Sequence, residues 1–178
     1  EQKEAIWVYW KARAGLALAR TAGERSAALA SLEPIATGYG FYEKLALEEL
    51  GRPLALPPTP AALTEAERSQ AKRHIGLNRA LLAISLGLHP EGVREWNYWT
   101  RLHQPGGMSE RELYAAADLA CHYHAWDRCI NTSEHTRSFA DFSQRFPMPH
   151  RDTLVPKARA IGLDPAYVYG LIRQESRF

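Results

Sequence analysis

The residue best placed to do chemistry is a glutamate near the end of the chain, Glu175. It follows Val168, Leu171 and Ile172 at the i, i+3, i+4, i+7 spacing that puts residues on one face of a helix. The apolar members of this face predict that it turns toward the protein interior and carries the glutamate with it. Burial disfavours the charged form of a carboxyl group, so a buried glutamate stays protonated near neutral pH, as a general acid requires.

The helix that positions Glu175 is predicted to begin at Asp164-Pro165. An aspartate side chain accepts hydrogen bonds from the free N–H groups of the first turn, and proline at the first helical position loses no hydrogen bond. The same spacing also fits a surface helix in which Glu175 pairs with Arg173 or Arg177. The spacing alone leaves both interpretations open.

The motif that contains Glu175 consists of Gly162-Leu163-Asp164-Pro165, then Val168-Tyr169, then Leu171-Ile172-Arg173-Gln174-Glu175-Ser176-Arg177-Phe178. It resembles the first catalytic motif of the soluble lytic murein transglycosylases, glycoside hydrolase family 23, in which the Glu of a Gln-Glu-Ser run is the single acid/base. Three upstream segments resemble parts of the same family's helical superhelix: Trp7-Val8-Tyr9-Trp10-Lys11-Ala12-Arg13-Ala14, Gly40-Phe41-Tyr42-Glu43-Lys44-Leu45-Ala46 and Trp126-Asp127-Arg128-Cys129-Ile130-Asn131-Thr132. The resemblance thus covers nearly the whole chain.

As the resemblance implies, Glu175 protonates the oxygen of the β-1,4 bond between N-acetylmuramic acid and N-acetylglucosamine in peptidoglycan. The resulting carboxylate takes the proton of the muramoyl C6 hydroxyl, which attacks its own anomeric carbon and gives a 1,6-anhydro product. The motif lacks the second carboxylate that ordinary glycoside hydrolysis uses, which fits this single acid/base. Ser176 is implied to support the sugar or the carboxylate by hydrogen bonding, although its position equally fits an exposed serine at a helix end.

The resemblance further implies no metal and no cofactor. It implies peptidoglycan glycan strands and cell-wall proteins as partners, and a periplasmic location. In one respect the sequence departs from the family, whose catalytic domain continues with a Gly-Leu-Met-Gln segment and a later segment bearing Tyr and Asn that build the sugar cleft. Here three residues follow Glu175. We therefore expect residues 1–178 alone to be inactive, and the competing hypothesis is a non-catalytic helical scaffold that binds a partner protein or a glycan strand.

The elements that carry the motif are predicted to be helices throughout, because no segment alternates well enough for a strand. Helical spacing and breaks predict helices over about 2–20, 26–36, 41–50, 65–73, 78–86, 90–102, 110–123, 125–137 and 154–161, and from 165 onward. Short helices in pairs, rich in alanine, predict an all-α chain built as an α-solenoid, or superhelix, of helical hairpins. The family resemblance adds the first helices of a lysozyme-like domain at the end.

The best internal domain boundary is Phe146-Pro147-Met148-Pro149, because two prolines stop a helix and hold the chain extended. It separates a superhelical domain of the family's U or linker type, residues 1–145, from residues 146–178. As the resemblance implies, the latter are the truncated N-terminal part of the catalytic domain. The proline-rich stretch Leu54-Ala55-Leu56-Pro57-Pro58-Thr59-Pro60 is predicted to be a connecting loop within one domain, with a boundary as the alternative.

Two cysteines, Cys121 and Cys129, lie eight residues apart. A disulfide across a helical hairpin is compatible with that separation, but we expect free, half-buried thiols. Together with His122 and His124 they offer four zinc-ligand types. Adjacent positions on one helix point in different directions and the spacing is unlike that of zinc sites, so we expect no zinc.

Four aromatic side chains, Trp96, Tyr98, Trp99 and His103, could stack on sugar rings. Aromatic residues on solenoid helices more often pack between repeats, and core packing is our interpretation of this cluster. We interpret Trp7, Tyr9 and Trp10 in the same way.

Composition excludes two classes of function. With 22 Lys and Arg against 20 Asp and Glu, the formal charge of +2 is too balanced for a phosphate-binding surface, so we expect no nucleic-acid partner. No apolar run reaches about 18 residues, so no transmembrane segment is predicted. The N-terminus lacks the zones of a secretory signal, which fits a mature chain or one cut from a longer protein.

Overall fold

The computed structural model describes residues 4–36, 40–101 and 106–178, and this part of the chain is all-α, without strands. The helices there are α1 (Ala5–Leu18), α2 (Ala22–Ala30), α3 (Phe41–Glu49), α4 (Glu65–Arg73), α5 (Ile75–Ser85), α6 (His89–Thr100), α7 (Glu110–His122), α8 (Trp126–Ser133), α9 (Phe142–Arg145), α10 (Arg151–Ala160) and α11 (Pro165–Glu175), with a 3₁₀ turn at Glu33–Ile35. The predicted all-α class is confirmed. None of these helices combines the length and the apolar composition needed to cross a bilayer.

The chain divides into two compact units, Glu1–Leu56 and Pro57–Phe178. The division falls inside the proline-rich stretch that the sequence predicted to be a loop within one domain. Prolines there remove backbone donors and favour extended conformations, so no helix links the two units. The boundary predicted near residue 146 stays a prediction.

In the first unit, α1 packs against α2 and α3 around a core formed by Tyr9, Ala12, Leu32, Ile35, Ala36, Ala46 and Leu47. The prediction of core packing is right for Tyr9, which is 6% exposed, and wrong for Trp7 and Trp10, which are 55% and 56% exposed. Tyr9 lies two residues from Trp7, which turns the two side chains to different sides of α1.

Helix α2 begins four residues before the predicted start at Ser26. The Thr21 hydroxyl accepts a hydrogen bond from the Glu24 N–H at 3.2 Å, and the Glu24 carboxylate accepts one from the Thr21 N–H at 3.0 Å. This is a capping box, a helix-start signal that is present in the sequence and that the predicted start at Ser26 overlooks. The helix ends at Ala30, and Pro34 lies in the 3₁₀ turn that follows.

The second unit is built on two helical hairpins, α5 with α6 and α7 with α8, and α4 packs on α7. Capping boxes begin two of these helices at the predicted positions: Thr64 pairs with Glu67 at the start of α4, and Ser109 pairs with Glu112 at the start of α7. The short helix α9 was not predicted. Its N-cap is Asp141, whose carboxylate accepts from the Ser143 N–H at 2.8 Å.

Trp96 is fully buried, and its indole Nε1 donates a hydrogen bond of 2.8 Å to the hydroxyl of buried Thr132. The core interpretation of this tryptophan is confirmed. Trp99 packs over Gly76 of α5, where an added Cβ would lie 2.0 Å from the indole nitrogen. Trp99 is nevertheless 37% exposed and Tyr98 is 65% exposed, so the prediction of core packing is wrong for Tyr98 and holds only in part for Trp99. His103 lies outside the described residues.

Arg111 of α7 fixes α4 and the loop before it. Its guanidinium donates to both carboxylate oxygens of Glu67 at 2.7 Å, and to the carbonyl oxygens of Ala61 at 2.7 Å and Ala62 at 3.2 Å. A guanidinium has donors enough for all these acceptors. One side chain therefore joins the start of α4 to the second helical hairpin.

The prediction of free thiols is wrong, because Cys121 and Cys129 form a disulfide with their Cα atoms 5.0 Å apart. Helix α7 ends at His122 and α8 begins at Trp126, so a three-residue turn brings the two cysteines face to face. That distance lies in the range that a disulfide requires. A separation of eight residues along the chain does not determine where the turn between α7 and α8 lies, so the sequence alone could not predict the bond.

We expect the disulfide to stabilise the chain by about 2.5 kcal/mol, the loop-closure effect for so short a loop. Urea unfolding of the oxidised chain, followed by circular dichroism with and without dithiothreitol, measures the difference. The matched control is Cys121→Ser/Cys129→Ser, whose midpoint should not respond to the reductant. An unchanged midpoint in the reduced native chain would contradict the expectation.

We expect Glu67 to make the stability of the second unit depend on pH. The hydrogen bond from Arg111, followed by those from the Thr64 N–H and hydroxyl, lowers the pKa of Glu67 from 4.5 to about 2. A carboxyl group whose pKa is depressed by folding stabilises the folded state above its unfolded pKa, and this stabilisation is lost as the pH falls toward the folded pKa. The urea midpoint is therefore expected to decrease from about pH 5 to pH 2, and to decrease less in Glu67→Gln.

The control for this comparison is Glu65→Gln in the same first turn. Glu65 accepts a hydrogen bond only from the Ser69 hydroxyl, at 3.4 Å, among the described residues. Its pH profile is expected to follow that of the unaltered chain. A Glu67→Gln profile parallel to the unaltered one would show that the Arg111 contact has no role in acid stability.

Candidate active site

Helix α11 begins as the sequence predicts. The Asp164 carboxylate accepts a hydrogen bond of 2.8 Å from the Ala166 N–H, and Pro165 occupies the first helical position. The helix then runs to Glu175, so the candidate acid lies in its last turn.

The buried face of α11 differs from the predicted one. Tyr169 is its buried residue, and the Tyr169 hydroxyl donates to the carbonyl oxygen of Pro149 at 2.8 Å. Val168 and Ile172 are half-buried beside it, whereas Leu171 is 52% exposed and Glu175 is exposed. The expectation that Glu175 turns inward is therefore wrong for this structure. Spacing along the sequence shows which residues share a face of a helix, but it does not show which face packs against another part of the protein.

The ion pairs at the end of α11 differ from those expected if α11 were a surface helix on which Glu175 pairs with a neighbouring arginine. Arg173 and Arg177 both form ion pairs with Glu134, the latter at 3.3 Å, and neither is paired with Glu175. Glu134 is the C-cap residue of α8. The arginines therefore tie the end of α11 to α8.

Arg173 has further contacts that fix its position. Its Nε donates to the carbonyl oxygen of Arg145 at 2.7 Å, and its guanidinium lies 4.6 Å from the ring centroid of Phe146. A cation above an aromatic face is attracted by the ring quadrupole. Arg173 thus holds the last two turns of α11 against the end of α9.

Ser176 follows Glu175 at the C-cap of α11 and is exposed. Its hydroxyl donates to the carbonyl oxygen of Ile172 at 3.1 Å and accepts from the Phe178 N–H at 3.2 Å. Such local bonds are typical of a serine that ends a helix. A role for Ser176 toward the sugar stays a prediction.

Exposed apolar side chains lie on α11 and in the loop that precedes it. Tyr167, Leu171 and Glu175 are four residues apart and form one exposed ridge of α11, with Tyr167 64% exposed. Ile161 and Leu163, which precede α11, are 73% and 42% exposed. Exposed apolar residues that are grouped in this way mark surfaces that bind another segment or molecule.

The two cysteines among the candidate zinc ligands are bonded to each other. Cys121 and Cys129 are joined by their disulfide, so neither sulfur is a thiolate that could bind a metal. Within the described ranges, no group of three or more His, Cys, Asp or Glu side chains could hold a metal ion.

No family model and no curated protein matches the chain. Solved structures do. An inactive mutant of the lytic transglycosylase Slt from Pseudomonas aeruginosa is 28% identical with a TM-score of 0.69, and the match covers 99% of this chain and 27% of that one. The 70-kDa soluble lytic transglycosylase in complex with bulgecin A is 20% identical, with a TM-score of 0.70 and coverage of 99% and 27%.

The 70-kDa soluble lytic transglycosylase from Escherichia coli is also 20% identical, with a TM-score of 0.68 and coverage of 98% of this chain and 26% of that one. The chain thus spans about a quarter of the length of these proteins. The resemblance that the sequence motifs carry is confirmed at the level of the fold: over nearly its whole length, this chain is folded like a part of the soluble lytic transglycosylases.

Proposed function

We propose that this chain belongs to a peptidoglycan lytic transglycosylase and that Glu175 is its catalytic acid/base. The observation that carries the proposal is the position of the Gln174-Glu175-Ser176 run at the end of a capped helix, in a chain whose fold matches such enzymes. The substrate is the β-1,4 bond between N-acetylmuramic acid and N-acetylglucosamine.

In the proposed reaction, Glu175 first donates its proton to the glycosidic oxygen as the bond to the anomeric carbon breaks. The carboxylate then accepts the proton of the muramoyl C6 hydroxyl, whose oxygen forms the new bond to the same anomeric carbon. The acid is thereby regenerated, water is not consumed, and the products are a shortened strand and a 1,6-anhydro-muropeptide. The chemistry needs no metal and no cofactor.

The exposure of Glu175 supports the proposal that residues 1–178 alone have little or no activity. Burial of a carboxyl group favours the protonated form that a general acid requires, and an exposed position does not provide that burial. A protein segment that covers Tyr167 and Leu171 would desolvate Glu175 as well. The matched transglycosylases are about four times longer than this chain, so such a segment is available in proteins of this kind.

The disulfide supports a periplasmic location. Disulfides persist in oxidising compartments such as the bacterial periplasm and are rare in the cytosol. Peptidoglycan lies in the same compartment, so the proposed substrate and the Cys121–Cys129 bond point to one location.

A non-catalytic scaffold is the alternative function for this stretch. It is favoured by the exposure of Glu175 and by the extensive helical packing of the second unit. A scaffold would bind a glycan strand or a cell-wall protein, and Glu175→Gln would leave that binding unchanged.

We expect Glu175→Gln to abolish the release of 1,6-anhydro-muropeptides by the protein expressed from its complete reading frame, with a loss of at least about 10³-fold. Mass spectrometry of the soluble products from purified peptidoglycan measures this. The control Glu48→Gln, at an exposed position of α3, should retain full activity. Residues 1–178 alone should release no product. Undiminished release by Glu175→Gln would leave the scaffold as the function.

We further propose that Arg173 positions Glu175 through its contacts with Glu134, Arg145 and Phe146. In the complete protein we expect Arg173→Gln to lower kcat about tenfold, which corresponds to an activation free energy higher by about 1.4 kcal/mol, with KM unchanged. Arg177→Gln is the control, since Arg177 makes a single longer contact with Glu134. A change in KM alone would assign Arg173 to substrate binding instead.

A further inference from the structure

A single residue joins α4 to α5 in the second unit. Helix α4 ends at Arg73 and α5 begins at Ile75, so His74 is the C-cap of the first helix and the N-cap of the second. Helix α4 packs mainly on α7, whereas α5 packs mainly on α6. The backbone at His74 therefore sets the direction in which the α5–α6 hairpin leaves α4.

The side chain of His74 also caps α5. Its ring nitrogen Nδ1 accepts a hydrogen bond from the Leu77 N–H at 3.2 Å. Leu77 is the third residue of α5, so its N–H has no acceptor within the helix and depends on the cap. The residues preferred at N-caps are serine, threonine, aspartate and asparagine, none of which normally changes its charge between about pH 8 and pH 5, as histidine does.

The direction of this hydrogen bond fixes the protonation state of the ring. An imidazole nitrogen accepts a hydrogen bond only when it carries no proton, so the proton of neutral His74 lies on Nε2. The imidazolium form carries a proton on both nitrogens and has no acceptor left. The cap of α5 therefore exists only while His74 is neutral.

A second side chain at this joint does not titrate. The amide nitrogen Nδ2 of Asn78 donates to the carbonyl oxygen of Lys72 at 2.7 Å and to that of His74 at 3.1 Å. These bonds tie the end of α4 to the first turn of α5, and an amide keeps its donors in both protonation states of the histidine. Protonation of His74 thus removes the cap of α5 without separating the two helices.

A small cavity of about 60 Å³, which His74 lines, contains the acid that a charged ring would meet. The charged residues of its lining are Glu67 of α4 and Arg111 and Glu112 of α7. Glu67 and Arg111 are paired with each other. Glu112 accepts from the Ser109 N–H and hydroxyl with Oε2, and its Oε1 has no hydrogen bond within the described part of the chain. These two hydrogen bonds lower the pKa of Glu112 against desolvation, and the charge of His74 lowers it further.

The other neighbours of the ring offer it no free charge. Trp99 of α6 packs edge-on against His74, with ring centroids 5.1 Å apart, and is neutral. The indole N–H of Trp99 donates to Glu95 at 2.7 Å, and Glu95 is paired with Arg79 of α5. The two basic residues at 72–73 are exposed, so water screens them. Glu112 is therefore the acid available to a protonated His74.

We propose that His74 is a proton-sensitive joint between α4 and α5. While neutral, it caps α5 through Nδ1. When Nδ1 takes a proton from water, it becomes a donor, the Leu77 N–H loses its acceptor, and a ring N–H pairs with the free oxygen of Glu112. The first turn of α5 is thereby loosened as the pH falls below about 7, in the range where histidines become charged. Neither Glu175 nor the proposed reaction takes part in this change.

Nuclear magnetic resonance of the isotope-labelled chain tests the proposal. At about pH 8, where histidines are neutral, we expect the His74 ring to carry its proton on Nε2. The second measurement is the hydrogen-exchange protection factor of the Leu77 amide, which corrects for the intrinsic effect of pH on exchange. From about pH 8 to pH 5 we expect it to fall about fivefold, the effect of losing an N-cap.

Two variants separate the cap from the charge. Asparagine caps a helix and does not titrate, so Leu77 in His74→Asn is expected to keep a protection factor that does not depend on pH. Glu112→Gln keeps the capping box of α7 but removes the negative charge, so the decline at Leu77 should lie about half a pH unit lower. The control His122→Asn replaces an exposed histidine at the end of α7 and should show the same decline as the unaltered chain.

Three results would overturn the proposal. They are a proton on Nδ1 at about pH 8, a protection factor of the Leu77 amide that stays constant, and a decline in His74→Asn equal to that of the unaltered chain. A decline at the same pH in Glu112→Gln would overturn the role of Glu112 as the partner of the charged ring.

Discussion

The second unit depends on the close packing of α7. Leu113, Tyr114, three consecutive alanines and then Leu119 and Ala120 are buried, so nearly every side of this helix faces protein. Small alanine side chains allow α4, α8 and α9 to pack against it, and hydrophobic burial stabilises the arrangement. The disulfide at the end of α7 and the Arg111 contacts near its start add fixed points at both ends.

The candidate catalytic helix is held through the elements that α7 supports. Glu134, the C-cap residue of α8, forms ion pairs with both Arg173 and Arg177. Helix α9 ends at Arg145, whose carbonyl oxygen accepts a hydrogen bond from Arg173. The Arg145 side chain donates to the carbonyl oxygens of Thr136 at 2.6 Å and Phe139 at 3.2 Å, so the loop between α8 and α9 is fixed as well. Polar contacts with the ends of α8 and α9 thus position the helix that carries Glu175, while the Glu175 carboxylate faces solvent.

Local signals made much of the fold predictable from sequence. Capping at Thr64, Ser109 and Asp164 depends on residues within one turn, and each of these starts is present in the structure. The exposed face of α11 and the disulfide depend on which distant elements meet, which spacing along the chain does not determine. The start of α2 was predicted at the wrong residue although its signal is local, because the Thr21 capping box lies within one turn of it.

The exposure of Glu175 is itself informative about the proposed mechanism. Tyr167, Leu171 and Glu175 lie on one ridge, so a segment packed there would remove two apolar side chains and the carboxyl group from water together. Burying the apolar area contributes about 25 cal/mol per Å², whereas burying a charged carboxylate is costly, so burial favours the protonated form of the carboxyl group. In our proposal, the contact that completes the cleft is therefore also the contact that turns an ordinary surface glutamate into a general acid.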